Sequence, residues 1–172
     1  IPELIAYQNL AYAQKYADFV RNTLNKEIST VGKTQITETV ARYLYKLMAY
    51  KDEYEVARLH LRPEFKNALS EEFGAKSGIK YMLHPPILRA IGLKKKIGFG
   101  RWFDVMYALL KRMKSLRGTP LDIFGYAKVR QTERQLPILY RAMIEECMNG
   151  LGNDNYAKVL RLAQLPDIIR GY

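Results

Sequence analysis

The chain has 172 residues, a single cysteine and a formal net charge of +11 at pH 7. That length suits one compact domain with a core of its own, the lone Cys147 excludes an intrachain disulfide framework and fits a reducing compartment, and no apolar run approaches the ~20 residues of a membrane span. The excess of 28 Lys and Arg over 17 Asp and Glu favours an anionic partner without choosing among nucleic acid, membrane surface and acidic protein.

Ile1 to Leu10 lacks the basic start and apolar core of a signal peptide, so a soluble, cytoplasmic protein is the expectation. From Glu3 to Ile28 the residues Ala6, Leu10, Ala13, Ala17, Val20 and Leu24 recur in alternating steps of four and three, which predicts a first helix. Tyr12, Tyr16 and Phe19 form a flanking aromatic stripe, read as packing rather than as a stacking platform for bases. After a turn at Ser29 to Thr34, a second helix is expected from Gln35 to Leu61, carried by Val40, Tyr43, Leu47, Tyr50, Tyr54, Ala57 and Leu61. A short loop between two long helices predicts an antiparallel hairpin. Gly32-Lys-Thr34 is similar to the end of a phosphate-binding loop, but the glycine required five residues earlier is Glu27, and the segment is helical. Asp52, Glu53 and Glu55 raise the question of a metal site; without a Glu-x-x-His pair they read as a solvated charged face.

Pro63 fits the first turn of a shorter helix with Phe65 and Leu69 inward. Ile79, Tyr81 and Leu83 alternate ahead of Pro85-Pro86, the pattern of a minor strand at Ile79–Leu83. His84, beside the prolines, reads as a loop residue. Gly92 to Trp102 is the most basic stretch and is expected as an exposed loop in which Lys94, Lys95, Lys96 and Arg101 offer a surface to an acidic partner. Trp102, Val105, Met106, Leu109, Met113 and Leu116 then continue as a helix. After Tyr126, Leu136, Tyr140, Met143 and Cys147 mark another, which Pro137 should kink or split. Asn149 to Asn155 is a turn cluster, where Asn153 or Asp154 can cap a last helix with Val159, Leu160 and Ala163. Altogether the pattern predicts an all-α fold of six or seven helices in one domain, 1–172.

Between those two helices lies Leu116-Arg-Gly-Thr-Pro-Leu-Asp-Ile-Phe-Gly-Tyr126. Gly118 can end a helix, Pro120 prevents its continuation, and Gly125 permits a reversal. Leu121, Ile123 and Phe124 are too apolar for an ordinary solvated loop, so the connection should pack onto the core. Arg117, Thr119 and Asp122 are the polar groups available to it, with Arg117 and Asp122 a structural clamp.

This stretch, followed by Glu133-Arg134, resembles the C-terminal helical domain of the long bacterial indolepyruvate ferredoxin oxidoreductases, in the 2-oxoacid:ferredoxin oxidoreductase family. Leu47-Met-Ala-Tyr-Lys-Asp-Glu-Tyr-Glu-Val-Ala-Arg-Leu59, Phe99-Gly-x-Trp102 and Leu165-Pro-x-x-Ile169-Arg-Gly171 resemble the same domain in the same order, so the similarity spans nearly the whole chain. One segment departs: where the family has Phe-His-Leu-Ala-Pro-Pro, this chain reads Tyr81-Met-Leu-His-Pro-Pro86. The role of the family's histidine therefore does not transfer to His84 or Met82. The resemblance, with a start at Ile1 and an end just beyond a recognisable block, implies a C-terminal piece of a longer polypeptide.

The enzymes it resembles decarboxylate arylpyruvates oxidatively to acyl-CoA, using thiamine diphosphate with magnesium, iron-sulfur clusters, coenzyme A and ferredoxin. None of those cofactors has recognisable ligands in this chain. An iron-sulfur cubane needs about four thiolates against one Cys here. With two histidines and no nucleophile-base spacing, no catalytic, cofactor or metal residues are expected, and Cys147 reads as an inert buried thiol. The expected role is non-catalytic: contact with other domains or subunits of the parent enzyme, and a surface for ferredoxin. A basic helical nucleic-acid-binding module is the alternative.

Overall fold

The computed structural model describes residues 1–73, 81–83, 97–99 and 103–169. In chain order the elements are α1 (Pro2–Tyr7), α2 (Leu10–Val31), α3 (Gln35–Met48), α4 (Glu53–His60), α5 (Pro63–Phe73), β1 (Tyr81–Leu83), β2 (Ile97–Phe99), α6 (Phe103–Arg112), α7 (Lys128–Asn149) and α8 (Tyr156–Ala163), with 3-10 turns at Met113–Leu116 and Leu165–Ile168. The protein is predominantly α-helical, as its periodicity predicts, and none of the described helices is long and apolar enough to cross a membrane. It forms two compact units: Ile1–Tyr50 with Gln131–Tyr172, and Lys51–Arg130.

The first unit is built on the hairpin of α2 and α3. Tyr12 near the start of α2 donates to the carbonyl of Met48 at the end of α3, and Tyr16 donates to that of Ala41, so the helices run antiparallel. Gly32 makes the turn possible: it closes α2 with φ +67°, a left-handed conformation in which a side chain is strained. Leu4, Ile36, Val40, Leu44 and Ile144 are fully buried in its core, and each such side chain contributes about 1.5–3 kcal/mol over leaving it in water. The buried side of α7, Pro137, Tyr140, Ile144 and Met148, follows helical spacing. Tyr140 secures α8 by donating to the carbonyl of Ala163 at 2.7 Å.

Both long helices expected from the sequence are interrupted. The first breaks after Tyr7, and α2 restarts at Asn9, whose side chain accepts from the Tyr12 amide at 2.8 Å. Its inner face follows Ala13, Thr23 and Glu27, with Tyr12, Tyr16 and Phe19 packed against the core, while Leu10 of the expected stripe stands 65 % exposed. The second breaks after Met48, and Asp52 caps α4 as a separate helix. By contrast, α7 is not split at Pro137 but runs unbroken around it. At the last helix neither Asn153 nor Asp154 is the cap. Asn155 stands at that position, and its side chain serves the turn, accepting from Gly152 and donating to Gly150.

In the second unit α4 packs against α6. His60 on α4 stacks on the buried Tyr107 of α6 with ring centroids 5.2 Å apart. The stripe Val105, Met106 and Leu109, expected inside, lies on the exposed side of α6, because Tyr107 supplies the buried contact. Phe65, also expected inside, is exposed and meets His60 edge-on. Tyr81–Leu83 is extended as anticipated, and its antiparallel partner is Ile97–Phe99, in register Tyr81 to Phe99 and Leu83 to Ile97. The end of the basic stretch expected as loop is therefore a strand.

Candidate functional site

The sequence places its densest polar chemistry at Asp52 to Glu55 and Arg117 to Asp122, and the second unit brings the two segments together. Asp52 begins as a helix cap: its Oδ1 accepts the Glu55 amide at 2.8 Å, satisfying one of the free N–H groups at the start of α4. The same carboxylate is gripped by Arg117, with Nε 2.5 Å from Oδ2 and Nη2 2.8 Å from Oδ1. Both side chains are buried, so the pair forms in a low-dielectric setting where the two-pronged geometry matters most.

The Arg117 guanidinium thus holds Asp52, in place of the expected clamp to Asp122. Asp122 ties the loop to itself and to α4. Its Oδ2 accepts the Gly118 amide at 2.9 Å, and its Oδ1 accepts both the Gly125 amide at 3.1 Å and the Tyr54 hydroxyl at 3.0 Å. Carboxylate acceptance of two backbone amides organises a turn that Gly118 enters at φ +80°. Thr119 stays outside the ion pair, donating to the Leu116 carbonyl. Only Phe124 of the loop's apolar residues packs down, edge-on to Tyr54 with centroids 5.3 Å apart, whereas Leu121 and Ile123 are 70 % and 53 % exposed.

Tyr54 is the centre of this arrangement. Arg117 lies 5.5 Å from its ring centroid and Asp122 takes its proton-bearing oxygen. Burial, then the bond to Asp122, pushes its pKa far above the ordinary tyrosine value, so the hydroxyl remains a donor. The acidic run around it is not the solvated face its composition suggested. Asp52 and Glu55 are buried; Arg58 forks onto Glu55 at 2.7 and 2.8 Å, and Arg130 reaches Glu53 at 3.2 Å. One local signal could have found this: Asp52-Glu-Tyr-Glu55 has the spacing of a capping box, which marks a helix start and places Asp52 at its end rather than on its flank.

A second buried carboxylate organises the first unit. Glu27, fully enclosed, accepts the Ile36 amide and the Tyr156 hydroxyl on Oε1 and the Thr37 amide and hydroxyl on Oε2, at 2.6 to 2.9 Å. The residue that spoils the phosphate-loop reading therefore occupies the place an anion would take, because its negative charge sits on the free amides at the start of α3. Lys33 lies 4.3 Å over the ring of Tyr156.

Among the described residues no group of three or more His, Cys, Asp or Glu is placed to hold a metal. The donor set does not fit an iron-sulfur cluster, since the chain's one thiol, Cys147, is half-buried with its pKa raised by burial and by the neighbouring Glu146. Lys94, Lys95, Lys96 and Arg101 lie outside the described residues, as does His84. The charge nevertheless has a location: Lys51–Arg130 contains 17 of the 28 Lys and Arg but 8 of the 17 Asp and Glu, so +9 of the +11 belongs to the second unit.

No curated protein and no solved structure matches this chain. A family model does, over residues 1–172, and the chain accordingly belongs to DUF6537, a family of unknown function.

Proposed function

We propose that this chain is a non-catalytic helical domain of an enzyme like the indolepyruvate ferredoxin oxidoreductases, acting in the cytoplasm through contacts with other domains or subunits. The observation that carries this reading is the joining of Leu47–Leu59 and Leu116–Gly125, two of the segments that bear the resemblance, by Arg117 to Asp52 and Tyr54 to Asp122. Their polar groups are engaged in holding α4 to the loop, a scaffold's use of those residues. Exposed apolar side chains support the contact role: Val105, Leu121 and Tyr126 in one unit and Leu139, Leu165 and Ile168 in the other are 47 to 80 % exposed. On this reading thiamine diphosphate, magnesium, iron-sulfur clusters and coenzyme A belong to the parent enzyme's other parts, and ferredoxin is a partner of the whole.

The test compares two proteins made from the same gene. The full polypeptide should reduce ferredoxin with an arylpyruvate in the presence of thiamine diphosphate and coenzyme A, and the 172-residue chain alone should not. Arylpyruvate oxidation by the chain alone would overturn the non-catalytic role. A full polypeptide without that activity, whose basic domain instead binds duplex DNA with steep salt dependence, would replace the reading with nucleic-acid recognition.

A further inference from the structure

Where the end of α3 meets α7 and the closing 3-10 turn, the first unit carries an open cleft of about 280 Å³. From α7 it takes Leu136, Leu139 and Met143, the three-four spacing of one helix face, and from the turn and the residue after it Leu165 and Ile169. Leu47 and Tyr140 are its buried lining, whereas Leu139 and Leu165 are 62 % and 47 % exposed. The Tyr140 hydroxyl is spent on the Ala163 carbonyl, so the lining side chains present hydrocarbon and a thioether but no ready hydrogen-bonding group. Such a surface gains from being covered by an apolar ligand and offers nothing to a polar one.

Lys46 adds a fixed charge at the edge of the cleft. Its ammonium donates to the carbonyl of Pro166, itself part of the lining, at 2.8 Å and to that of Asp167 at 3.3 Å, with the Tyr43 ring 5.9 Å away. Two of its three donors are thereby used, and neutral carbonyls leave its charge uncompensated. Among the described residues no carboxylate forms an ion pair with it, and the Asp167 carboxylate lies instead by the Tyr43 hydroxyl. A held cation with one donor to spare, beside a hydrocarbon cleft, is complementary to a carboxylate that carries an apolar tail.

We propose that the cleft binds the hydrocarbon chain of a small aliphatic carboxylate, with Lys46 holding the headgroup. Its walls are aliphatic and its volume suits one short chain. A second copy of the protein is disfavoured as occupant, because each copy carries a net charge of +11, and the same charge favours an anionic headgroup over a cationic one.

The experiment is calorimetric titration of the 172-residue chain with octanoate, hexanoate and octylamine, each below its micelle-forming concentration and at constant ionic strength. Octanoate should bind one-to-one and saturably, and hexanoate about tenfold more weakly, since two fewer methylenes are covered. Octylamine should bind about tenfold more weakly than octanoate, and Lys46→Gln should weaken octanoate by a similar factor, the scale of one charge-assisted bond. Leu139→Ala, at an exposed position of the lining, should weaken octanoate and octylamine alike. Lys33→Gln, which removes an equal charge ahead of the far end of α3, should change neither. Equal binding of octanoate and octylamine, no dependence on chain length, or equal weakening in Lys33→Gln would each overturn the site. So would sedimentation showing self-association that Leu139→Ala abolishes, which would give the cleft to a second copy. Loss of octanoate binding in the full polypeptide would also overturn it, giving the cleft to a neighbouring domain. Lys46 and Leu139 are both exposed, and native circular dichroism of their variants separates lost binding from a folding defect.

Discussion

Arg117 reaches back 65 positions to hold Asp52 in a two-pronged ion pair, while Asp52 simultaneously caps the helix that starts beside it. Asp52→Asn keeps a competent cap but leaves the buried guanidinium without its counter-charge, so we expect a loss of about 3–5 kcal/mol. Arg117→Lys should recover little of the stability lost in Arg117→Met, because an ammonium cannot make both parallel bonds. Urea unfolding checks both, and a shift below about 1 kcal/mol in Asp52→Asn would mean that the pair contributes no more than an exposed one.

Glu27 accepts four hydrogen bonds from donors that have no water to turn to. Glu27→Gln replaces one acceptor oxygen with an NH2 facing donors and should cost roughly 2–4 kcal/mol, against about 1 kcal/mol for Tyr156→Phe, which removes a donor and leaves the carboxylate three partners. If the two variants unfold at the same denaturant concentration, the carboxylate is not the organising group of the hairpin turn.

Two glycines should be costly to replace for backbone reasons alone. Gly32 and Gly118 have φ of +67° and +80°, and a Cβ built on either meets nothing within 4 Å. Alanine at each should therefore destabilise by about 1–2 kcal/mol, the left-handed penalty without any clash. Gly150, which has the same open surroundings and no positive φ, serves as the control: Gly150→Ala should be near neutral.

Buried tyrosines set the alkaline limit. Burial first raises the pKa of Tyr156, with its bond to Glu27 next, and burial with Asp104 raises that of Tyr107, each to about 12 from an ordinary 10.0. The folded state holds these protons more tightly than the unfolded chain does. Their contribution is therefore complete below pH 10 and is lost as pH rises from about 10 to about 12, where the unfolded state ionises first. Unfolding midpoints should be flat up to pH 9 and fall between pH 10 and 12, less steeply in Tyr156→Phe. Ionisation of all tyrosines at an ordinary pH with no loss of fold, followed by tyrosinate absorbance, would contradict this.

Much of the helical architecture was readable because it is written in short-range terms. The three-four alternation of Val40, Tyr43 and Leu47 needs no knowledge of the rest of the chain, and neither does the turn between Ser29 and Thr34 or Pro63 opening α5. The same local reading misjudged faces where polar residues are buried. Thr23 and Glu27 lie inside while Leu10 and Val105 lie outside, because a satisfied carboxylate can be enclosed and apolar surface can be left open. It also joined helices that a cap divides: Asn9 and Asp52 each fit within an unbroken apolar pattern, yet their side chains turn to the backbone and start a new helix.

For the candidate site, the sequence by itself determined which residues carry charge and that Arg117, Thr119 and Asp122 stand in a tight turn between helices, since glycine and proline dictate backbone reversals locally. Tertiary structure alone decided their partners. Within the turn Asp122 was the nearest carboxylate to Arg117 along the chain, but the packing of α4 places Asp52 against the guanidinium and gives Asp122 to Tyr54, Gly118 and Gly125. A charged side chain takes the counter-group that burial brings within about 3 Å and keeps dry, and that choice is made by the assembled core, across 65 residues, rather than by any spacing along the chain.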